Sequence, residues 1–304
     1  MMQQDDVIKD YSTYLLLEKS FSRNTVEAYL RDLQKLDDFL SARGIALQDA
    51  DYEALRDFVV EVQQHGLTPR SSARLISSIR CFYKYLYFYD KIKKDPGELL
   101  ELPKLGIHLP EVLSIEEIDA ILAQIDLSHP QGHRNRAIIE TLYSCGLRVS
   151  EAVDLQLSNV YFDDEYIRVH GKGNKERIVP ISKVALKYIR QWLEDRCHIE
   201  IKHGNEDVLF LNRRGAKLTR SMIFHLIKQY AEAAGIKKNI SPHTFRHSFA
   251  THLMMGGADL RVVQELLGHE SITTTEIYTH VDVSMLTDTI MKYHPRNKMR
   301  KASH

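Results

Sequence analysis

The sequence of 304 residues lacks the features that mark membrane, secreted and disulfide-rich proteins. It has no run of about 18 apolar residues, which excludes a membrane-spanning helix. Residues 1–12 have neither the basic start nor the apolar stretch of a secretory signal, so we expect a cytoplasmic protein. The three cysteines, Cys81, Cys145 and Cys197, form no CxxC pair. This number and spacing predict free thiols rather than disulfides or a zinc ribbon.

The sequence also lacks net charge, because 41 lysines and arginines balance 41 aspartates and glutamates. This balance excludes a uniformly basic coat for nucleic acid. The charges are unevenly distributed, however. Residues 62–105 contain 8 basic and 4 acidic side chains, and residues 168–190 and 212–238 each contain 7 basic and 1 acidic. Such stripes are typical of a polyanion bound to one face, although ordinary solvated helix faces remain an alternative for each stripe.

Apolar residues recur at three- and four-residue intervals in the first part of the chain. This periodicity predicts helices at 5–19, 22–40, 53–64 and 71–90, and therefore an all-helical first domain over residues 1–94. The last helix combines basic residues with an aromatic cluster, which we assign to the core rather than to base stacking. The basic residues are Arg70, Arg74, Arg80 and Lys84.

A stretch that contains several prolines and glycines, 95–110, is predicted to be a linker to a second domain, 111–304. A capping box at Ser114 begins the first helix of that domain. A later helix is predicted to end at Gly146, and Ser150 is a candidate cap for the helix that follows.

The hydrophobic period changes to two in the middle of the second domain. Residues 166–181 alternate on either side of a glycine-rich turn at 171–174, which predicts a β-hairpin. A shorter strand is predicted at 208–211, and helices separated by glycines follow from Ser221 onward. The chain is therefore predicted to be mainly α, with a small antiparallel sheet in its second domain.

A histidine and an arginine lie one turn apart at a predicted helix start. Ser241 and Pro242 suit the first positions of a helix, and His243 and Arg246 then share a face. This combination is a candidate oxyanion site. His247, four residues after His243, raises the alternative of a metal site. Zinc is rejected because threonine stands where metalloproteases have glutamate, and a cationic arginine separates the two histidines.

Five short motifs occur in order along the second domain. They are GLRVSE at 146–151, GKGNK at 171–175, HTFRH at 243–247, LGH at 267–269 and IYTH at 277–280. In residues, order and spacing the set closely resembles the tyrosine recombinases (the λ-integrase family), and within that family the Xer branch. The segments SRNT, AYLRDL and RCFY of the first domain are similar to the core-binding domain of the same branch.

The resemblance implies both a fold and an activity. The fold would be a two-domain clamp, made of a helical SAM-like core-binding domain and a mixed α/β catalytic domain that is mostly helical. The activity would be site-specific recombination, in which DNA is cut and rejoined through a 3′-phosphotyrosyl intermediate without a cofactor or a metal. In the Xer branch this chemistry resolves chromosome dimers at cell division.

The resemblance also implies roles for individual residues. Tyr278 would be the nucleophile that attacks the DNA phosphodiester. Arg148 and Arg246 would clamp the non-bridging oxygens of the transition state, since planar guanidinium groups suit phosphate oxygens. His243 would act as the general base, and His269 would donate a hydrogen bond to the same oxygens.

The hairpin and the helix start after Gly146 would supply further groups. Lys172 would protonate the departing 5′-oxygen, because a mobile lysine can deliver a proton that a guanidinium holds too tightly. Glu151 resembles the carboxylate that orients the first arginine in this family. Lys175 and Arg177 are expected to bind phosphate, together with the four basic residues of the first domain.

The expected partner is double-stranded DNA, on which four subunits would assemble. These subunits would be identical, or paired with a paralogous Xer recombinase, and a DNA translocase is a possible activator; no membrane is involved. Three alternatives remain open: the integrase of a mobile element, which often carries an extra amino-terminal domain for which we expect no room here, an architectural DNA-binding protein, and a type IB topoisomerase. The complete set of motifs argues against the last two.

An apolar stripe follows the tyrosine motif and includes Met285, Leu286 and Ile290. Two interpretations of this predicted helix remain open. It can fold back onto its own subunit, or it can dock onto a neighbouring subunit, as the family resemblance implies.

Overall fold

A computed structural model describes residues 4–103, 111–171, 176–268 and 283–298. The chain divides into two compact units, Met1–His108 and Leu109–His304. None of the helices in the described ranges combines the length and apolar character that a membrane crossing requires.

In residues 4–103, unit 1 has four helices that enclose one hydrophobic core. They are α1 (Gln4–Leu17), α2 (Arg23–Ser41), α3 (Tyr52–Gln64) and α4 (Pro69–Phe88). All four predicted helices are confirmed. The cause of their boundaries is local: the side chain of Ser22 accepts a hydrogen bond from the Thr25 amide, and Thr68 caps α4 immediately before its proline.

The aromatic cluster of α4 is divided between core and surface. Phe82, Tyr83 and Tyr85 are buried, as predicted, whereas Tyr87 and Phe88 are exposed, Phe88 to 72%. The prediction that the cluster belongs to the core is thus wrong at the end of the helix. The last turn of α4 leaves these two rings in solvent.

Unit 2 surrounds a second, larger core with nine helices in the described ranges and a three-stranded antiparallel sheet. The strands are β1 (Val160–Tyr161), β2 (Tyr166–His170) and β3 (Glu176–Pro180), in that order. The helices are α5 (Ile115–Ala123), α6 (Gly132–Cys145), α7 (Val149–Asp154), α8 (Lys183–Arg196), α9 (Arg220–Ala233), α10 (Pro242–Gly256), α11 (Leu260–Leu267), α12 (Val283–Tyr293) and α13 (Pro295–Lys298). The predicted hairpin strands and the Ser114 capping box are confirmed.

Two local predictions for unit 2 are wrong. Ser150 lies inside α7 and is not its cap, because the helix begins one residue earlier and its cap position is Arg148. Residues 208–211 form only isolated bridges, although they are largely buried. The side chains of Arg196, Trp192 and Arg134 donate to the carbonyls of Val208, Leu209 and Leu211 respectively, in place of a continuous strand ladder.

The carboxy-terminal helix α12 packs against its own unit. Leu286 and Ile290 belong to the core of unit 2, and Ile290 is only 1% exposed. Met285 remains exposed. Of the two interpretations of the apolar stripe, the structure therefore shows the fold-back in the single chain.

Candidate active site

The site forms where α6 ends and α7 begins. Gly146 ends α6 in the left-handed conformation, with φ of 57°, and the chain then extends through Arg148 into α7. The buried carboxylate of Glu151 reaches back from the first turn of α7, as the third residue of a capping box does. It accepts a hydrogen bond of 2.8 Å from the main-chain amide of Arg148 and one of 2.8 Å from its guanidinium.

A second arginine reaches this place from α10, which begins at Pro242 as predicted. Arg246 is buried and donates to the carbonyl oxygens of Gly146 at 2.7 Å and Leu267 at 2.6 Å. Burial, and then the positive charge of Arg148, lower the pKa of Arg246 to about 10. Its guanidinium therefore remains charged at neutral pH.

A third arginine, Arg177 of β3, lies against the same carboxylate. Two of its nitrogens donate to the two oxygens of Glu151, each at 2.8 Å, and the third donates to the carbonyl of Leu266 at 3.1 Å. Its side chain is only 13% exposed. The sequence led us to expect that Arg177 binds phosphate; in the structure the pleat of β3 turns its side chain toward the buried carboxylate.

The three arginines also share the carboxy-terminal end of α11. The carbonyls of three consecutive residues, Leu266, Leu267 and Gly268, accept from Arg177, Arg246 and Arg148 respectively. The last carbonyls of a helix have no partner within the helix and carry partial negative charge. They are therefore well suited to hold guanidinium groups.

The charges at the site do not balance. Three guanidinium groups surround one carboxylate, which leaves an excess of two positive charges among these four side chains. Burial by itself raises the pKa of Glu151, but the hydrogen bonds from Arg177 and Arg148 outweigh it and hold that pKa below its usual range. A preorganised, partly desolvated cationic site of this kind can stabilise a phosphodiester and the charge that develops on it.

The remaining catalytic candidates are only partly within the described residues. His243 is exposed at the second position of α10, one turn before Arg246. The other candidates of the second domain lie outside the described residues: Lys172, Lys175, His269 and Tyr278. Within the described ranges, no group of three or more His, Cys, Asp or Glu side chains is arranged to hold a metal ion.

The four basic residues of unit 1 lie on one side of α4. Arg70, Arg74, Arg80 and Lys84 are all exposed and fall within about 120° of the helix circumference, at about 100° per residue. Arg74 also pairs with Asp32 of α2, whose carboxylate is buried. Burial raises the pKa of Asp32 although Arg74 opposes this effect. Arg74 thus supports the α2–α4 packing as well as the basic face.

Sequence reasoning found Arg148, Arg246 and Glu151 through the motif resemblance. It predicted that Arg177 binds phosphate and did not predict its contact with Glu151. A signal was present in the strand pattern: Arg177 is two positions before Val179, so both side chains lie on the same face of the predicted strand, and an apolar residue marks that face as the inner one. What the sequence could not indicate is the shared end of α11.

Comparison with known proteins agrees with this architecture. The phage integrase family matches residues 111–285, and the phage integrase N-terminal SAM-like domain matches residues 8–88. The tyrosine recombinase XerD of Chlorobaculum tepidum is 42% identical over 292 residues, which cover 95% of this chain and 96% of that protein. The tyrosine recombinase XerD of Staphylococcus aureus is 41% identical over 293 residues, which cover 96% of this chain and 99% of that protein.

A solved structure is similar as well. The XerH site-specific recombinase bound to difH substrate, in a pre-cleavage complex, has a TM-score of 0.65 and 28% identity, covering 86% of this chain and 78% of that chain. The expected fold class, a SAM-like helical domain with a mostly helical mixed catalytic domain, is confirmed. With family matches over both units and relatives of this identity over nearly all its length, the chain belongs to the phage integrase family of tyrosine recombinases, enzymes that break and rejoin DNA at specific sites.

Proposed function

We propose that this recombinase cuts DNA through a covalent 3′-phosphotyrosyl bond to Tyr278 and serves to resolve chromosome dimers at cell division. The observation that carries the chemical part is the cationic cluster around Glu151. It presents two arginines, Arg148 and Arg246, that belong to the tyrosine recombinase motifs, in a site with excess positive charge. The similarity to proteins named XerD supports the cellular part.

In the proposed cleavage step, the hydroxyl oxygen of Tyr278 attacks the phosphorus atom and its proton passes to His243. The bond from phosphorus to the 5′-oxygen breaks, and Lys172 protonates that oxygen. Arg148 and Arg246, helped by His269, neutralise the charge on the non-bridging oxygens. Rejoining is the reverse reaction with a new 5′-hydroxyl, so the energy of the broken bond is conserved without a cofactor.

The proposed substrate is double-stranded DNA in a complex of four subunits. The XerH structure contains that recombinase bound to its difH substrate, which supports DNA as the partner here. We further propose that the basic face of α4 contacts phosphates, and that the four subunits are either identical or paired with a paralogous Xer recombinase. A DNA translocase would activate the complex in the cytoplasm.

The decisive experiment is covalent capture on DNA of unspecified sequence. The wild-type protein is incubated with a library of nicked duplexes randomised on both sides of the nick, so that the short fragment released by cleavage diffuses away and the adduct accumulates. Adducts are purified, sequenced and located in the genome of the source organism. We expect one intrinsic chromosomal site and no adduct with Tyr278→Phe, which retains DNA binding.

Two other outcomes would contradict the proposal. An adduct that persists in Tyr278→Phe would remove Tyr278 from the nucleophile's role. Captured sites that lie at the ends of a mobile element would replace chromosome-dimer resolution with integration.

A further inference from the structure

Arg177 is turned inward by the strand that carries it. In the β2–β3 register it lies opposite Val169, and Ile167 lies opposite Val179. Residues directly opposite each other in an antiparallel pair project from the same face. Since Ile167, Val169 and Val179 are buried, this is the face of the sheet that meets the core, and it brings the guanidinium to Glu151.

The Glu151 carboxylate is shared equally between two arginines. Each of its two oxygens accepts one hydrogen bond from Arg177 and one from Arg148, all four at 2.8 Å. A carboxylate offers about four acceptor positions, so these bonds saturate it. The parallel pair from Arg177 fixes the plane of the carboxylate, and the remaining positions then define where Arg148 can bond.

Arg177 and Arg148 are joined a second time at the end of α11. Arg177 donates to the carbonyl of Leu266, and Arg148 donates to that of Gly268, two residues later. Gly268 leaves room for this approach, since a Cβ atom there would be in tight contact, at 3.2–3.3 Å, with three atoms of the Arg177 side chain. Both arginines therefore bridge the same two supports, the carboxylate of α7 and the end of α11.

We propose that Arg177 is a positioning residue for DNA cleavage: by holding Glu151 and the end of α11 together, it fixes the orientation in which Arg148 meets the scissile phosphate. This inference rests on the proposed function, in which Arg148 contacts that phosphate. Arg177 itself has all three of its guanidinium nitrogens bonded to protein acceptors. Its contribution to the reaction passes through Glu151 and Arg148.

The proposal has a distinctive pH signature. Among the residues that the structure describes, Arg177, Arg148 and Arg246 are the charged groups that face Glu151, and burial alone would raise the pKa of that carboxyl. Removing Arg177 should therefore raise the pKa of Glu151. As the pH falls, a protonated Glu151 loses its hold on Arg148, so the defect of Arg177→Ala should grow at low pH and shrink at high pH.

The test measures single-turnover adduct formation by the full-length protein on the nicked duplex recovered by covalent capture, at saturating DNA and from pH 6 to pH 9. We expect Arg177→Ala to be about 10- to 100-fold slower near neutral pH, by analogy with the loss found when the residues that orient metal ligands are removed. Arg177→Lys, which keeps the charge but not the bidentate fork, should recover part of the rate. Lys202→Ala, an exposed change in unit 2 outside the three basic stripes, is the control and should cleave normally.

A double-mutant cycle separates positioning from other roles. Glu151→Gln removes the titrating group, so adding Arg177→Ala to it should cost little more and should show no extra pH dependence. If Arg177 instead contacted DNA, Arg177→Ala would weaken binding and reduce the salt slope by about one while cleaving normally at saturation. That result, or a normal rate at all pH values, would overturn the proposal.

The remaining outcomes separate a failure of this inference from a failure of the proposed function. If Arg177→Ala does not fold by circular dichroism, Arg177→Lys carries the test, and an unchanged rate and pH profile would refute the inference. If the wild-type protein forms no adduct, the proposed function fails and the inference falls with it. If the wild type forms the adduct and Arg177→Ala matches it, only the inference fails.

Discussion

Two glutamates of unit 2, eleven positions apart in the sequence, are both buried among arginines, but their pKa values shift in opposite directions. Glu140 of α6 pairs with Arg136 at 3.2 Å and with Arg296 of α13 at 3.0 Å, and Arg296 also pairs with Asp119 at 2.6 Å. Among these four described side chains, two cations meet two anions. Around Glu151, three arginines meet one carboxylate.

The pKa directions follow this difference. Burial raises the pKa of Glu140 and its two arginines oppose the effect without reversing it. At Glu151, burial is outweighed by the arginines and the pKa is lowered. The Glu140 cluster has equal numbers of positive and negative side chains among the residues named, and through Arg296 it joins α13 to the core. A cluster with excess positive charge is completed by an anion, which is what a phosphate-cleaving site requires.

The largest expected effect is the loss of stability on breaking the balanced cluster. Arg296→Ala leaves the buried carboxylate of Glu140 with Arg136 as its ion-pair partner, and should cost about 3–5 kcal/mol in the free energy of unfolding. Urea denaturation of the free protein measures this. Lys292→Ala, an exposed change in α12, should stay within about 0.5 kcal/mol. Equal stability of the two variants would show that the Glu140 cluster does not hold the carboxy-terminal helices.

Removing an arginine from the unbalanced cluster should cost activity instead. Arg148→Ala should slow adduct formation by about 10²–10³, the loss found for one transition-state donor. Stability should change far less than in Arg296→Ala, because the variant removes one of three like charges and leaves Glu151 bonded to Arg177. Single-turnover cleavage and urea denaturation of the same preparation test both halves. A near-normal rate would remove Arg148 from the site.

The buried His294, next to Arg296 of the Glu140 cluster, should make the free energy of unfolding depend on pH. Its ring packs against Tyr143 and Phe249, and burial, followed by the charge of Arg296, lowers its pKa to about 3. Because the folded-state pKa lies below the unfolded value, this group stabilises the fold above pH 6.5 and loses that contribution as the pH falls from 6.5 toward 3. The loss should reach about 1.4 kcal/mol per pH unit.

The matched variant for this prediction is His294→Gln, which does not titrate. The difference in free energy of unfolding between wild type and His294→Gln should shrink as the pH is lowered through that window. A difference that is constant with pH would mean that His294 does not remain neutral in the fold.

The smallest effect is expected at the exposed basic residues of unit 1, whose side chains lie in solvent, whereas the arginines of the two glutamate clusters are paired with carboxylates. Replacing Arg70, Arg80 and Lys84 together by alanine should reduce the slope of log affinity against log salt by about 0.9 for each phosphate that these side chains neutralise. Stability should change little, since all three side chains are exposed. Arg31→Ala, an exposed change on α2, serves as the control, and an unchanged slope in the triple variant would exclude this face from DNA binding.

The sequence by itself determined the features that depend on neighbours along the chain. Ser22 and the Ser114 capping box begin helices, Gly146 ends one by adopting a left-handed backbone, and alternation over 166–181 produces the hairpin strands. These signals act within a few residues, so the pattern alone predicts them. The ordered motifs also identified the family and, through it, Arg148, Glu151 and Arg246.

Only the tertiary structure decided which distant groups meet. Arg177 bonds to a carboxylate 26 positions away and to a carbonyl 89 positions away, and nothing in the local pattern specifies either partner. The same holds for Arg296, which reaches Glu140 across 156 positions, and for the fold-back of α12. Contacts of this range depend on how whole helices and strands pack, because packing places a side chain that local periodicity can only assign to a face.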